Sequence, residues 1–259
     1  MIGKNTNSRL SKFINQKISY FHLGIIALVV LLFYKATLSS YFIADDFWEI
    51  KYFSDGNIFQ KVFSNFTAGE WEALPFYRPI AVLLYALSFA LFKINPFGYH
   101  FVNVVLHIGN SILVYLLANK LTGGKNKNIG FTAGILFALY PLHPNTVSWI
   151  AAFATSYGTL FILSSFLAYL SFRQSGFKRY YFLSLLFFIF ALGSYENAVV
   201  LPVLILLYEC TINYSSNLLR HAKLFFLKLS FPFLFLLFVY FLLRKVIIGE
   251  FIGGYSNIV

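Results

Sequence analysis

Long apolar runs constrain the fold of this chain more than any other feature. Residues 97–118 and 147–172 form stretches of 22 and 26 residues without a charged side chain. Helices of this length match the thickness of a bilayer, and they satisfy their own backbone amides in hydrocarbon. The alternating pattern of a transmembrane β-barrel is absent from the sequence. With 59% hydrophobic and 11% charged residues, the chain is predicted to be an all-α polytopic membrane protein.

Basic residues occur in short clusters at the ends of the apolar runs. The net charge is +11, and its clusters lie in residues 4–17, 120–127, 173–179 and 220–223. This distribution follows the loops between runs, which is typical of a membrane topology signal and not of a nucleic-acid-binding face. The single cysteine, Cys210, lies in an apolar run, so we expect no disulfide.

The positive-inside pattern decides how the run at residues 79–92 is placed. As a helix it would be about 21 Å long, which is less than the roughly 30 Å of a hydrocarbon core. If it spanned the bilayer, the basic clusters would fall on both sides. If it lies at the interface, all four clusters face the cytoplasm. We therefore expect about seven spanning helices plus one interfacial helix.

The predicted organisation follows from this topology. A basic cytoplasmic segment covers residues 1–19, and a membrane module covers residues 20–259. The module contains an extracytoplasmic loop at residues 40–78 and the interfacial helix at residues 79–93. The carboxyl terminus is expected outside, in the plasma membrane or the endoplasmic reticulum depending on the organism. The expected spans are residues 21–38, 97–118, 129–142, 147–172, 177–195, 197–213 and 224–248.

The extracytoplasmic loop carries two adjacent carboxylates, Asp45 and Asp46, between aromatic residues. Like charges and partial burial raise the pKa of a carboxyl group. One of the pair can then act as a general base while the other orients an acceptor or binds a divalent metal. A solvated turn or a helix cap is the alternative interpretation.

Four other residues are candidates for a site on the same face. Arg78 precedes Pro79 at a helix amino terminus, which favours anions. Glu196 lies between two apolar runs, where an ionisable group costs about 3 kcal/mol at membrane depth and needs a partner or an aqueous cavity. His143 lies in a turn fixed by prolines, and Arg244 ends the last run. The alternatives are a turn residue for Glu196, a structural role for His143 and a snorkelling anchor for Arg244.

A polar stripe follows one face of the run at residues 97–118. His100, Asn103, His107 and Asn110 recur at intervals of three and four residues. The two histidines lie two turns apart without a carboxylate on the same helix, so interhelical hydrogen bonding is favoured over a zinc site.

Several short motifs occur in order along the expected outer face. They are Asp45-Asp46, Tyr77-Arg78-Pro79, His100 with Asn103 and His107, Pro141-Leu142-His143 with Val147 and Trp149, Ser194-Tyr195-Glu196, Arg244, and Gly253-Gly254-Tyr255. Together they resemble the GT-C superfamily of membrane glycosyltransferases. The resemblance is strongest to the transmembrane O-mannosyltransferases that carry tetratricopeptide repeats and to their prokaryotic relatives. It implies a GT-C-like bundle and covers almost the whole chain.

The resemblance also implies a chemistry. The donor is a sugar on a polyprenyl phosphate, and the acceptor is a hydroxyl of a protein or glycan. Asp45 is the expected general base, with inversion at the anomeric carbon, and Asp46 is its partner and the candidate ligand for a divalent metal. Glu196 is expected to hold acceptor or sugar hydroxyls. The candidates for stabilising the departing phosphate are Arg78, His143 and Arg244.

Two features depart from that pattern. Relatives carry an arginine and an acidic residue shortly after the Val-x-Trp element, whereas residues 151–157 here hold neither charge. Relatives also continue beyond the Gly-Gly-Tyr element, so we expect this chain to be a fragment or a reduced paralogue. One alternative function is a transporter or lipid flippase, which the polar stripe would favour. The other is a non-catalytic membrane scaffold.

Overall fold

The computed structural model describes residues 3–69, 76–212 and 229–251. All regular elements in these residues are helices. The α-helices are α1 (Gly3–Tyr34), α2 (Asp46–Ser54), α3 (Ile58–Thr67), α4 (Pro79–Phe92), α5 (Pro96–Leu121), α6 (Lys127–Ala138), α7 (Pro144–Val147), α8 (Phe153–Ser175), α9 (Lys178–Leu192), α10 (Leu201–Ile212) and α11 (Phe231–Ile248). Three 3-10 helices lie at Lys35–Ser39, Ile150–Ala152 and Glu196–Val200. The basic cluster at 220–223 and the Gly-Gly-Tyr element at 253–255 lie outside the described residues.

Four helical segments of the described chain are long and apolar enough to cross a membrane. They are Lys17–Ser39, Pro96–Leu121, Ile150–Ser175 and Phe231–Ile248. Helices α6, α9 and α10 have 12, 15 and 12 residues. The prediction of an all-α polytopic membrane protein is confirmed. The total of about seven spans and the GT-C-like arrangement of the helices stay predictions.

Asparagine residues begin three of the helices. The side chain of Asn57 accepts hydrogen bonds from two amides in the first turn of α3. The side chains of Asn95 and Asn126 each accept one amide hydrogen bond at the start of α5 and α6. An N-cap side chain satisfies amides that have no partner within the helix. Gly176 ends α8 in the left-handed conformation at φ 73°, which glycine adopts without steric cost. These local signals fix where the helices start and stop.

Helix α5 lies at the centre of the bundle and packs against α1, α6 and α8. Three residues of its polar stripe face α6, α7 and α8. Asn103 donates to the carbonyl of Val147 (3.3 Å), His107 contacts the carbonyl of Ala138 (3.1 Å), and Asn110 donates to the carbonyl of Ser156 (3.2 Å). The predicted interhelical hydrogen bonding is therefore confirmed for these three residues.

The helices meet at two opposite ends of the bundle. At one end, which we call the acidic end, Asp46 accepts a hydrogen bond from the amide of Ala151, in the 3-10 helix just before α8. At the other, Lys127 of α6 donates to Ser19 of α1, and Gln174 of α8 donates to the carbonyl of Lys120 of α5. The described basic loops of α5–α6 and α8–α9 therefore share the end remote from Asp46, an arrangement that the topology prediction requires.

Helix α4 has both of its ends at the acidic end. The amide of Ile80 donates to the carbonyl of Gly193, where α9 ends (2.8 Å). The carbonyl of Lys93, just beyond α4, accepts a hydrogen bond from Tyr99 in the first turn of α5 (2.7 Å). The Tyr99 ring in turn contacts Phe42, which follows α1. Helix α4 thus runs across the end of the bundle, and its interfacial placement in a bilayer stays a prediction.

Candidate active site

Three of the predicted site residues form one ionic cluster at the acidic end. Nε of Arg78 donates to both carboxylate oxygens of Glu196 at 3.1 and 2.9 Å, and its Nη2 lies 2.9 Å from Oε2. Nη1 of Arg244 lies 3.4 Å from Oε1 of the same carboxylate and donates to the hydroxyl of Tyr240 at 3.1 Å. One carboxylate therefore joins residues that lie 118 and 48 positions away in the chain.

Each member of the cluster is placed by the end of a helix. Arg78 is the residue before Pro79, the first residue of α4. Glu196 begins a 3-10 helix after the extended residue Tyr195, and Arg244 lies in the last two turns of α11. Proline at a first helical position has no amide to leave unsatisfied. The ends of α4, α9 and α11 therefore bring the three charges together.

Aromatic rings and close backbone packing hold the Arg78 side chain. Its guanidinium lies 4.2 Å from the ring centre of Phe76 and 5.0 Å from that of Tyr195. Gly158 of α8 makes room for Tyr195, because a Cβ at Gly158 would lie 2.5 Å from the Cβ of Tyr195. Cation–π contacts of this kind contribute about 0.5–1 kcal/mol when exposed and more when desolvated. They orient the guanidinium as well as stabilising it.

The cluster carries a net charge of +1, because two guanidinium groups share one carboxylate. Arg244 is only 2% exposed. Its Nε is buried and has no hydrogen-bond partner among the described residues. The side chain of Glu196 is 26% exposed, so the cluster opens towards solvent on that side. A buried positive charge with a donor to spare favours an anionic ligand, since unpaired buried charge is costly.

The acidic pair divides into one exposed and one buried residue. Asp46 is completely buried, and its two carboxylate oxygens accept hydrogen bonds from the amides of Ile43 (2.9 Å) and Ala151 (2.8 Å). These bonds fix a turn in which Ala44 has φ 47°, a conformation that costs roughly 1–2 kcal/mol for a residue other than glycine. Asp45 is exposed at the amino terminus of α2 and makes no side-chain capping bond.

The environment of Asp46 changes its acidity. Burial raises the pKa of the Asp46 carboxyl, the amide hydrogen bonds from Ile43 and Ala151 oppose this rise, and the charge of Asp45 adds to it. Because Asp46 is fully buried with both oxygens occupied, the geometry suits it to positioning α2 against α8. Asp45 is the member of the pair that is accessible from outside the protein.

A second buried acid, Glu49, lies in the same helix and was missed by the sequence reasoning. Its carboxylate interacts with Tyr85 of α4 and Tyr99 of α5. The available signal was its spacing, because residues three positions apart share one face of a helix, and Asp46 is three positions away. Together these side chains link α2 to α4. Tyr85 lies seven positions beyond Arg78, or about 10 Å along a helix, so α4 connects the acidic group with the ionic cluster.

His143 lies in a third group, between α6 and α7. Its Nδ1 contacts the carbonyl of Phe137 at 2.8 Å, and its ring lies 5.0 Å from that of His107. Burial lowers the pKa of His143, and the hydrogen bond to the Phe137 carbonyl opposes this shift. The described contacts join His143 neither to the arginines nor to the acidic pair. No described contact therefore supports the predicted role of His143 at the departing phosphate.

Metal binding was predicted only as possible, with Asp46 as a ligand. The described residues contain no group of three or more histidine, cysteine, aspartate or glutamate side chains placed to hold a metal ion. The two oxygens of Asp46 already accept amide hydrogen bonds. A metal requirement stays an untested prediction.

Comparison with known proteins identifies relatives over part of the chain. Human protein O-mannosyl-transferase TMTC1 is 31% identical over 144 residues, which are 52% of this chain and 16% of the relative. Human protein O-mannosyl-transferase TMTC3 is 29% identical over 112 residues, 43% of this chain and 12% of the relative. Mouse protein O-mannosyl-transferase TMTC2 is 36% identical over 94 residues, 36% of this chain and 11% of the relative.

These matches cover less than a fifth of each relative's length. No family model and no solved structure matches the chain. Three relatives that share one printed activity nevertheless match the chain at 29–36% identity. The resemblance to transmembrane O-mannosyltransferases that the ordered motifs indicate is thereby confirmed.

Proposed function

We propose that this chain is a membrane glycosyltransferase, or the amino-terminal part of one, that moves a sugar from a polyprenyl-phosphate donor to a protein hydroxyl. The relatives' printed names, protein O-mannosyl-transferase, support a protein acceptor and mannose as the sugar. The observation that carries the proposal is the ionic cluster of Arg78, Glu196 and Arg244, together with an exposed carboxylate, Asp45, at the same end of the bundle.

The proposed reaction is a single displacement. Asp45 takes the proton of the acceptor hydroxyl while the acceptor oxygen attacks the anomeric carbon. The bond from that carbon to the phosphate oxygen breaks. The electron pair leaves with the lipid phosphate, so the configuration at the anomeric carbon is inverted. The exposure of Asp45 and the complete burial of Asp46 support Asp45 as the base.

The arginines have the charge that the leaving group needs. As the phosphate departs it gains negative charge, which fixed cations stabilise without reorganising. Arg244 is buried and keeps Nε unpaired, so it has a donor for a phosphate oxygen. In this proposal Glu196 holds the two guanidinium groups apart and keeps them oriented, because both of its oxygens already contact arginine. The predicted role of Glu196 in binding acceptor or sugar hydroxyls is untested and stays a prediction.

The topology is part of the proposal. The acidic end faces the extracytoplasmic side, with the amino terminus in the cytoplasm and the carboxyl terminus outside. Residues 40–78 then form the extracytoplasmic loop of a membrane module at residues 20–259. The donor reaches the arginines from the bilayer, and the acceptor reaches Asp45 from the aqueous side.

Transfer of label tests the proposal. Membranes containing the full native protein are incubated with labelled polyprenyl-phosphate sugars, beginning with mannose, and proteins are examined for transferred label. We expect Asp45→Asn to abolish transfer while the protein remains inserted. Asp55→Asn is the matched control, because Asp55 is an exposed carboxylate at the other end of α2.

Two outcomes would contradict the proposal. Transfer by Asp45→Asn at the wild-type rate would show that Asp45 is not the base. If the wild-type protein transferred no sugar from any polyprenyl phosphate, a glycosyltransferase would be the wrong class, and transport or scaffolding would be preferred.

A further inference from the structure

A second ion pair lies at the end of the bundle opposite the acidic end. Nε of Arg173, in the last turn of α8, lies 2.6 Å from Oε1 of Glu209 in α10. The hydroxyl of Tyr169, one turn earlier in α8, donates to the same oxygen at 3.0 Å. Glu209 is only 4% exposed. A buried carboxylate thus joins α10 to α8, at an end where it is the one acidic residue of the described chain.

Glu209 occupies a position on α10 that an apolar side chain could fill. Leu201, Ile205 and Glu209 are spaced at intervals of four residues and share one face of the helix. All three are buried, and Leu201 and Ile205 belong to the apolar cluster that contains Tyr169 of α8. The side chains from Leu201 to Leu207 are all apolar, and apolar contacts are non-directional. Apolar packing alone therefore holds α10 on α8 without fixing the level at which it lies.

The same two segments meet again at the acidic end. A Cβ at Gly158 of α8 would lie 2.5 Å from the Cβ of Tyr195, the residue before Glu196. From Gly158 to Arg173, α8 rises about 22 Å. From Glu196 to Glu209, the 3-10 helix and α10 together also rise about 22 Å. Because the two rises match, the level of Glu209 beside Arg173 sets the level of Glu196 at the acidic end.

We propose that Glu209 is a positioning residue, whose contacts with Arg173 and Tyr169 fix the register of α10 against α8 and thereby place Glu196 in the ionic cluster. A shift of α10 by one helical turn would move both carboxylates by about 5.4 Å. Glu209 would leave Arg173, and Glu196 would lose its 2.9 Å contact with Arg78. A buried polar or charged side chain specifies the register of packed helices, because leaving it unpaired is costly.

The ionic cluster gives this register a chemical consequence. Glu196 contacts the guanidinium groups of both Arg78 and Arg244. If Glu196 moved away, the two like charges would lose their shared carboxylate, and their orientation would change. A phosphate that binds these guanidinium groups would then bind less tightly. This consequence rests on the proposed function, whereas the register of α10 does not.

A distance between two spin labels tests the register in the full chain. One label is attached to the native Cys210 of α10, which is exposed and is the one cysteine of the sequence. The other is attached to Phe97→Cys, at an exposed position where α5 begins at the acidic end. The informative variant is Glu209→Leu, because it removes the charge and completes the apolar face of α10. Thr211→Val is the matched control, at an exposed position in the same turn.

We expect Glu209→Leu to remain folded in gel filtration, while the distance between the labels is displaced or broadened by about one helical turn, roughly 5 Å. Thr211→Val should keep the wild-type distance. A wild-type distance in Glu209→Leu would overturn the proposal. An equal displacement in Thr211→Val would also overturn it, because the ion pair would then not be the cause.

A charge reversal covers the case in which Glu209→Leu does not fold. The double variant Arg173→Glu with Glu209→Arg keeps an ion pair between α8 and α10. A wild-type distance in the double variant would support the proposal. A displaced distance would overturn it, because the register would then not follow the ion pair.

Equilibrium binding of a polyprenyl phosphate separates this inference from the proposed function. We expect Glu209→Leu to weaken binding about tenfold or more, because a hydrogen bond to a charged group is lost. If the wild-type protein does not bind the lipid, the proposed function is contradicted, and the label distance alone decides the register. Wild-type affinity in a variant with a displaced register would show that Glu209 does not position the cluster.

Discussion

Replacing Asp46 with asparagine separates the buried member of the acidic pair from Asp45, the proposed general base. The change keeps the size of the side chain and removes its charge. In the folded protein both oxygens of Asp46 accept backbone amides, from Ile43 at 2.9 Å and from Ala151 at 2.8 Å. An asparagine has one acceptor oxygen, so its NH₂ group must face one of these amides. One bond is lost and a buried donor is left without an acceptor.

The expected cost follows from these contacts. A hydrogen bond to a charged group contributes about 1.5–3 kcal/mol, and an unsatisfied buried donor costs about 1–3 kcal/mol. Since the two overlap, we expect Asp46→Asn to lower the free energy of unfolding by about 2–4 kcal/mol. The same change at Asp45 is expected to alter stability by less than about 0.5 kcal/mol, because Asp45 is exposed and makes no capping bond.

Equilibrium unfolding in mixed micelles, followed by circular dichroism, measures both variants against the wild type. The activity assay is run in parallel, and we expect Asp45→Asn to be stable and inactive. If Asp46→Asn unfolds like the wild type, the two amide hydrogen bonds do not hold α2 in place, and the distinction between the two aspartates fails. An equal loss of stability in both variants would refute the reasoning as well.

Three further changes test other parts of the site. Arg244→Met is expected to change the free energy of unfolding by about 1 kcal/mol or less, because Glu196 keeps its contact with Arg78 and a buried apolar side chain replaces a buried charge. Equilibrium binding of a polyprenyl phosphate should be lost. Unchanged binding would exclude Arg244 from the phosphate site. Gly158→Ala brings a Cβ to 2.5 Å from Cβ of Tyr195, so we expect that ring to move, transfer to fall and the protein to remain folded in gel filtration. Burial lowers the pKa of His143 below its ordinary 6.5, so as the pH falls below 6.5 the unfolded chain takes up the proton first and stability decreases. His143→Gln should remove this part of the pH dependence of thermal unfolding, and an unchanged dependence would contradict it.

Much of the fold class could be predicted because it depends on composition and on local patterns. Runs such as residues 97–118 are too apolar and too long for a soluble protein. The intervals between His107 and Asn110 place both on one helical face, and both hydrogen-bond to neighbouring helices. These features require no knowledge of which helices are neighbours.

The composition of the ionic cluster could not be derived in the same way. Arg78, Glu196 and Arg244 were each found as charges at the ends of apolar runs, but their mutual contacts bridge 118 and 48 residues. His143 has a similar position in the sequence and lies apart, against Phe137. A sequence shows that each residue lies near a helix end, whereas the lateral order of the helices decides which ends meet.

The sequence by itself determined that this chain is helical, that it crosses a membrane, and which short motifs link it to transmembrane O-mannosyltransferases. Only the tertiary structure showed that Asp46 is buried and Asp45 exposed. The two are adjacent in the sequence and carry the same carboxylate. One of the two amides that donate to the Asp46 carboxylate belongs to Ala151, 105 residues away. Hydrogen bonds between segments so distant form only when the helices pack. The assignment of the exposed carboxylate to Asp45 therefore comes from packing, because no local pattern distinguishes the two residues.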